Sequence, residues 1–304
     1  MPNFVMLVGL PGSGKSYVAQ KLSKMDYNIH SSDDIREELS GDVNNQDINT
    51  QVFQLLHNRI KEDLRANKNC VYDATNISYK RRKAFLDEIK SIECTKYCVL
   101  NATPYDVCIT QNEMRDRRVP DYVIEKMYRN FDIPFYEEGW DEIVLHYNKK
   151  SYTVLYGTWT QFIYDTWDYS QDNPNHLLTL GEHCKRCGDA CKEADNENWN
   201  LYIAGMLHDC GKPFCRTFKN TKGEIDDKAH YYNHENVGSY NSLFYDIENV
   251  DSKDRLYIAK LIRWHMQMYF IEKQPHTLKK YEKMFDEKYW NDLNKLHDSD
   301  KKAH

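Results

Sequence analysis

Two sets of residues in this chain have the types and spacing for phosphate chemistry. The first is Gly9-Leu10-Pro11-Gly12-Ser13-Gly14-Lys15-Ser16, a Gly-x-x-x-x-Gly-Lys-Ser run between an apolar stretch and a helix-like one. Its glycines let successive backbone N–H groups converge on an anion without Cβ clashes, and a following helix adds partial positive charge at its N-terminus. Gly9, Gly12, Ser13 and Gly14 form the cradle, Lys15 suits the β- and γ-phosphates, and the Ser16 hydroxyl suits Mg²⁺. The pattern predicts binding of a nucleoside triphosphate, ATP with Mg²⁺. The second set is His183, His208-Asp209, His234, His265 and Asp300, spread over the C-terminal half. Imidazoles and carboxylates with open positions suit a divalent ion such as Mn²⁺, Co²⁺, Ni²⁺, Fe²⁺ or Zn²⁺.

Three further elements bear on what the triphosphate is used for. Ser32-Asp33-Asp34-Ile35-Arg36 follows the second apolar run, where a carboxylate can accept the proton of an attacking hydroxyl. Ser32 or Asp33 could equally cap the next helix. Val71-Tyr72-Asp73-Ala74-Thr75-Asn76 ends the third run and offers Asp73 as a partner for a Mg²⁺ water. Arg115-Asp116-Arg117-Arg118 is a basic cluster able to close over phosphates as a lid. A guanine-reading Asn-Lys-x-Asp is missing, which argues against a GTPase.

Around the histidines, Leu207-His208-Asp209-Cys210-Gly211-Lys212-Pro213 reads as an apolar helix ending in adjacent His and Asp, with Gly211 stopping it. Adjacent helical residues diverge by about 100°, yet both can reach an ion at the helix terminus. Lys212 is placed to help neutralise a phosphate, Asp298 competes with the preferred Asp300 for the last carboxylate ligand, and His176 and His230 are candidates to support the ligands or touch the substrate. His297 and His304 read as surface residues, and Cys184, Cys187 and Cys191, on one helix face, read as core packing rather than zinc ligands.

Apolar β-rich runs at 4–8, 28–31, 69–73, 96–100 and 142–146 must position the first set. Helix-like stretches at 15–25, 33–40, 50–66, 79–91, 104–117 and 121–130 separate them. The alternation predicts an α/β domain over 1–150, a parallel sheet with helices on both faces. The second half, 151–304, predicts an all-α domain from helical patterns at 176–194, 199–209, 233–246, 252–268 and 278–303, joined through the aromatic segment 149–172. A net charge of −6 argues against non-specific wrapping of nucleic acid, so any such contact must be local. The chain lacks an apolar run of the roughly 20 residues that span a bilayer, and the start lacks the basic region of a secretory signal. With nine cysteines, an odd number, reduced thiols and the cytoplasm are the expectation, without a membrane partner.

The first set, in order and spacing over about 1–140, resembles the 5′-kinase domain of phage-type polynucleotide kinase: GLPGSGKS, SSDDIR, VYDATN with the basic KRR that follows, and RDRR-VP. The resemblance implies that Asp33 is the general base for a 5′-hydroxyl, that Arg36 binds the acceptor-side phosphate and that Arg115 is the lid arginine, with Arg117 or Arg118 as alternatives. Asp-Ala-Thr-Asn is shared with other small P-loop kinases, which keeps a small-metabolite acceptor open. The second set resembles the HD-domain phosphohydrolases over about 170–304, through Glu182-His183, His208-Asp209-Cys210-Gly211-Lys212, His234-Glu235-Asn236-Val237-Gly238, Arg263-Trp264-His265-Met266 and Asp300. That resemblance implies one metal on His183, His208, Asp209 and Asp300, and a second engaging His234 and His265. Together the two imply an enzyme that heals RNA or DNA ends, phosphorylating 5′-OH and clearing 2′,3′-cyclic phosphate or 3′-phosphate, upstream of a separate ligase. A nucleoside or nucleotide kinase joined to an HD-type nucleotidase, and an ATP-gated HD nucleotide sensor, are the alternatives.

Overall fold

The computed structural model describes residues 1–147 and 156–304. The chain divides into two compact units, Met1–Met127 with Pro134–Thr153, and Tyr128–Ile133 with Val154–His304. The elements through residue 147 are β1 (Asn3–Val8), α1 (Lys15–Ser23), β2 (Asn28–Ser31), α2 (Ser32–Ser40), α3 (Asn49–Arg65), β3 (Cys70–Asp73), α4 (Tyr79–Glu88), β4 (Thr95–Ala102), α5 (Tyr105–Glu113), α6 (Asp121–Arg129) and β5 (Glu142–Tyr147).

The strands form one five-stranded sheet in the order β2-β3-β1-β4-β5, and every pairing is parallel. β1 lies at the centre because its side chains are buried on both faces, as parallel sheets require. Val5 and Leu7 point to one side, where they pack with Val18 and Ala19 of α1 and Val71 of β3. Phe4 points to the other, against Phe85 at 5.5 Å and Trp140 at 6.4 Å between ring centroids. Leu7 is level with Asp73 and Val8 with Leu100, so the loop after β1 emerges beside the carboxyl ends of both neighbours. Open α/β sheets bind ligands at that edge.

Behind the edge lies a fully buried ion pair. Arg82 of α4 donates from Nε and Nη2 to the Glu138 carboxylate at 2.7 and 2.6 Å, and both side chains are 0% exposed. Trp140 Nε1 also donates to Glu138 at 3.1 Å, and Arg82 Nη1 donates to the Asn76 carbonyl at 3.0 Å. The network therefore anchors the loop after β3 from within.

From residue 156 the elements are α7 (Trp159–Asp165), α8 (Leu180–Ala194), α9 (Trp199–Leu207), α10 (Lys212–Cys215), β6 (Thr217–Lys219), β7 (Ile225–His230), α11 (His234–Asn241), α12 (Ser252–Lys273), α13 (Leu278–Glu282) and α14 (Glu287–Lys302). The region is helical, with one antiparallel hairpin, β6–β7, that the helical pattern did not announce. α8 packs on α9 and α14, and α12 on α9, α11 and α14. Cys184, Cys187 and Cys191 line the buried face of α8 as core residues. Tyr128–Ile133 belongs with this unit: Phe131 meets Tyr240 at 4.6 Å, and Arg263 donates to Asp132 at 2.8 Å. The expected join at 149–172 lies partly outside the described residues; its described part contains α7.

Candidate functional site

The loop between β1 and α1 folds as the sequence requires. Gly12 and Gly14 adopt φ of 81° and 89°, left-handed values that side chains beyond glycine resist. A Cβ on Gly12 would also stand 2.2 Å from the Cys108 carbonyl oxygen. Asn76 Nδ2 donates to the Leu7 carbonyl at 2.9 Å, and Gly9 N to the Thr75 carbonyl at 3.0 Å, so the loop is tied to the Asp-Ala-Thr-Asn segment. Lys15 Nζ donates to the carbonyls of Gly9 at 3.0 Å and Leu10 at 2.8 Å. Burial pushes its ammonium below the ordinary value, and Asp73 opposes the shift. Burial likewise pushes the Asp73 carboxyl up, and Lys15 pulls it back. Ser13 is buried, while Ser16 is exposed in the first turn of α1. An exposed hydroxyl and a nearby carboxylate fit the hard oxygen ligands that Mg²⁺ takes.

Asp33 does not cap α2, and neither does Ser32. Ser31 is the cap: its hydroxyl accepts from the amides of Asp33 at 3.2 Å and Asp34 at 3.3 Å. The Asp33 carboxylate is thereby free for other partners. Its Oδ1 accepts from Arg36 Nη1 at 2.8 Å and its Oδ2 from Arg117 Nη1 at 2.6 Å. Arg36 is 4% exposed and donates from Nη2 to Asn49 Oδ1 at 2.8 Å. Within the basic cluster, Arg117 thus meets Asp33, Arg115 directs its charge at Lys15 and Asp73, and Arg118 is exposed.

In the second unit the expected ligands converge. α9 ends at Leu207, His208 is its cap residue, and Asp209 follows. The Asp209 carboxylate divides its oxygens. Oδ2 lies 3.4 Å from His183 Nε2 and 3.3 Å from His208 Nε2, and Oδ1 lies 3.1 Å from His234 Nε2 and 3.8 Å from His265 Nε2. Asp300 Oδ1 is 3.1 Å from His183 Nε2 and 3.5 Å from His208 Nε2. His183, His208, Asp209, His265 and Asp300 are each at most 4% exposed and His234 6%. Asp298, the competing carboxylate, is exposed.

The donor set fits metal ions on its own chemistry. All four imidazoles turn Nδ1 to a backbone carbonyl: His183 to Ala303 at 3.4 Å, His208 to Gly205 at 2.8 Å, His234 to Tyr231 at 2.8 Å and His265 to Ile262 at 2.7 Å. That fixes the Nδ1–H tautomer and leaves an Nε2 lone pair facing inward. The lone pairs meet in two couples, His183 with His208 at 3.1 Å and His234 with His265 at 3.3 Å. Asp300 Oδ1 is buried with no hydrogen-bond partner among the described residues. Paired lone pairs and an orphan carboxylate oxygen repel unless a cation lies between them. Protons compete for the same positions. Burial lowers the His208 imidazole, but Asp209 and Asp300 outweigh it and raise the value well above the ordinary one. Burial pushes the Asp209 carboxyl up, but Lys212 and the imidazoles hold it well below the usual carboxylate range. Burial and the neighbouring His234 push His265 down to about 3.

Several expected placements change. Lys212 is 3% exposed, and its Nζ lies 2.7 Å from both Asp209 Oδ2 and Gln171 Oε1, so it braces a candidate ligand carboxylate. Gly211 does not stop α9 through a left-handed turn, since its φ is −82°. It permits close approach: a Cβ there would stand 2.1 Å from the His234 carbonyl oxygen. His297 is buried, with Nε2 2.9 Å from Glu272, and not a surface residue. His304 is exposed, in keeping with its surface reading, and its ring lies tilted 4.8 Å from His183 and 5.2 Å from His176. His230 pairs with Asp226 at 2.8 Å and stacks on Tyr232.

Comparison with known proteins bears on the first unit. Residues 4–134 match the family model described as AAA domain. The L-seryl-tRNA(Sec) kinase of Methanococcus maripaludis is 27% identical over 143 residues, 45% of this chain; the match spans 55% of that relative, about half its length. Among solved structures, a chain of the Pnkp1/Rnl/Hen1 RNA repair complex aligns at 20% identity and a TM-score of 0.38, covering 41% of this chain and 42% of that one. A gluconokinase from Sinorhizobium meliloti 1021 aligns at 16% identity and a TM-score of 0.34, covering 48% of this chain and 82% of that one. The first unit is a P-loop kinase-like domain.

Two supporting interactions escaped the sequence reading. In the kinase-like domain, Arg82 belongs to the basic KRR segment, but its partner Glu138 lies 56 positions away and nothing local announces the pair. In the helical region, Tyr269 donates to Asp300 Oδ2 at 3.0 Å; it lies one turn beyond His265 on the same face of α12, a spacing that could have found it.

Proposed function

We propose that the chain is a bifunctional end-healing enzyme: an ATP-dependent 5′-hydroxyl polynucleotide kinase over about 1–150 and a metal-dependent phosphoesterase for 2′,3′-cyclic phosphate or 3′-phosphate ends over about 151–304. The observation that supports it most is the division of Asp209, one oxygen toward His183 and His208 and the other toward His234 and His265. One carboxylate facing two imidazole couples would let Asp209 serve two divalent ions, whose chemistry suits hydrolysis of a phosphate ester.

In the kinase step Lys15 exchanges its carbonyl partners for oxygens of the β- and γ-phosphates, while Ser16 and Asp73 would hold Mg²⁺ and its water. Asp33 accepts the proton as the 5′-oxygen bonds to the γ-phosphorus and the bond to ADP breaks. Arg36 orients Asp33 and meets the acceptor-side phosphate; Arg115 and Arg117 screen charge on the transferring group. In the second step, divalent ions, when bound, would supply Lewis acidity for activating water and offsetting charge on the phosphate. His183, His208, Asp209 and Asp300 would hold one ion, and Asp209, His234 and His265 the other, while Lys212 and Tyr269 keep Asp209 and Asp300 in place. A cyclic phosphate requires a 2′-hydroxyl, so RNA is the substrate favoured, with a separate ligase sealing the product.

Wild-type protein given a 5′-OH oligoribonucleotide ending in 2′,3′-cyclic phosphate, with ATP, Mg²⁺ and Mn²⁺, gains a 5′-phosphate and opens the cyclic end. Phosphorylation of mononucleotides as readily as of oligomers points instead to a nucleoside or nucleotide kinase. No change at either end sinks the proposal.

A further inference from the structure

Beside the candidate base of the kinase-like domain lies a cleft of about 350 Å³, between α3 and the loop from β3 into α4. That volume falls in the range of about 300–1,000 Å³ typical of small-molecule sites. Its walls include the rings of Phe53, His57 and Tyr72, with Asn49 at one side and Arg81 at the rim. Apart from these, the lining is half aliphatic, through Met6, Ala74, Ile77 and Ala84, and half polar, through Thr50, Thr75, Asn76 and Ser78.

The aromatic wall is held rigidly. Phe85 packs behind it, 4.3 Å from His57 and 5.2 Å from Tyr72, and is itself 1% exposed. His57 lies 3.2 Å from the Tyr72 hydroxyl through Nε2 and 3.2 Å from Glu88 through Nδ1, which fixes its ring. Asn49 connects the cleft to the chemistry: its Oδ1 accepts from Arg36, which in turn donates to Asp33. The cleft is thus two hydrogen bonds from the candidate base.

We infer that this cleft is a nucleobase pocket, in which the terminal base of the acceptor stacks on Phe53, His57 and Tyr72 while its 5′-hydroxyl reaches Asp33. This deepens, and rests on, the kinase reading above. The chemistry of the lining selects the ligand class. A flat heteroaromatic ring gains stacking and apolar burial there. Arg81, exposed at the rim, suits the phosphate that follows the base along a strand.

The test needs no variant to begin with. Two 5′-OH oligoribonucleotides are compared, identical except that one has an abasic 5′-terminal residue, and calorimetry measures binding to wild-type protein without ATP. The base-bearing end binds at least about fivefold tighter, the low end of what stacking one base supplies. In Phe53→Ala the ratio collapses toward one, and in Phe53→Tyr, which keeps a ring, it returns. Equal affinity for the two oligonucleotides, or no binding of either, overturns the pocket. A phosphorylation assay on the same pair separates the readings: preferential binding without phosphate transfer leaves the pocket standing and removes the kinase.

Discussion

The triphosphate loop and the histidine centre are built by opposite means. The loop from Gly9 to Ser16 offers backbone amides, and its one cation, Lys15, is parked on its own carbonyls. Its fixed parts are glycine dihedrals, and its charged partners Asp33 and Arg117 keep side-chain exposures of 44% and 29%. The histidine centre is built from side chains, all six of its candidate ligands at most 6% exposed. The difference follows from the ligand. A triphosphate brings its own charge and can pull mobile groups into place, so the protein needs only a preformed anion cradle. An ion needs lone pairs already converging, so its imidazoles must be locked by a second bond at Nδ1 and its carboxylates by Lys212 and Tyr269.

That contrast can be broken at four points. The largest effect belongs to Asp33→Asn, which removes the proton acceptor and lowers kcat for 5′-phosphorylation by about 10²–10⁴-fold. Metal content, read by elemental analysis, stays at the wild-type level. Next is Arg82→Ala, which leaves Glu138 as an unpaired buried charge and costs roughly 3–5 kcal/mol. Chemical denaturation should show the kinase-like domain unfolding early, and an unchanged midpoint would deny the network its role. Tyr269→Phe keeps the ring but frees Asp300 Oδ2; affinity for a divalent ion then falls about 10–100-fold, as for other outer partners of metal ligands. A titration with Mn²⁺ followed by calorimetry measures it. Smallest is Ser31→Ala, worth about 1 kcal/mol through loss of the α2 cap. Thermal unfolding reads that loss, and a shift as large as that of Arg82→Ala would mean that Ser31 does more than cap.

The sequence carried the sheet well because its strands are short apolar runs between periodic helices: β1 was expected at 4–8 and spans Asn3–Val8. The hairpin was opaque. β7 reads Ile-Asp-Asp-Lys-Ala-His, with only Ala229 buried, and so gives no apolar alternation to detect. The C-terminal helix expected over 278–303 breaks into α13 and α14, with Asp286 capping the second by accepting from Tyr289 N at 2.8 Å. The candidate ligands were legible because His-Asp pairs and their flanking glycine form local patterns. What holds them was not: Gln171 reaches Lys212 over 41 positions, and Tyr269 reaches Asp300 over 31. His297 was misread for a related reason, since α14 buries one face through Leu293, Leu296, His297 and Asp300, and a lone polar residue on that face looks solvated until its partner Glu272 is known.

The central claim is that the two centres act independently on the two ends of one strand. A single oligoribonucleotide with a 5′-OH and a 2′,3′-cyclic phosphate, followed by mass spectrometry with ATP, Mg²⁺ and Mn²⁺, tests it in Lys15→Ala and Asp209→Ala proteins. Lys15→Ala should process only the cyclic end, and Asp209→Ala should phosphorylate only the 5′ end. If either substitution abolishes both reactions while circular dichroism shows an intact fold, the account of two separate sites is wrong.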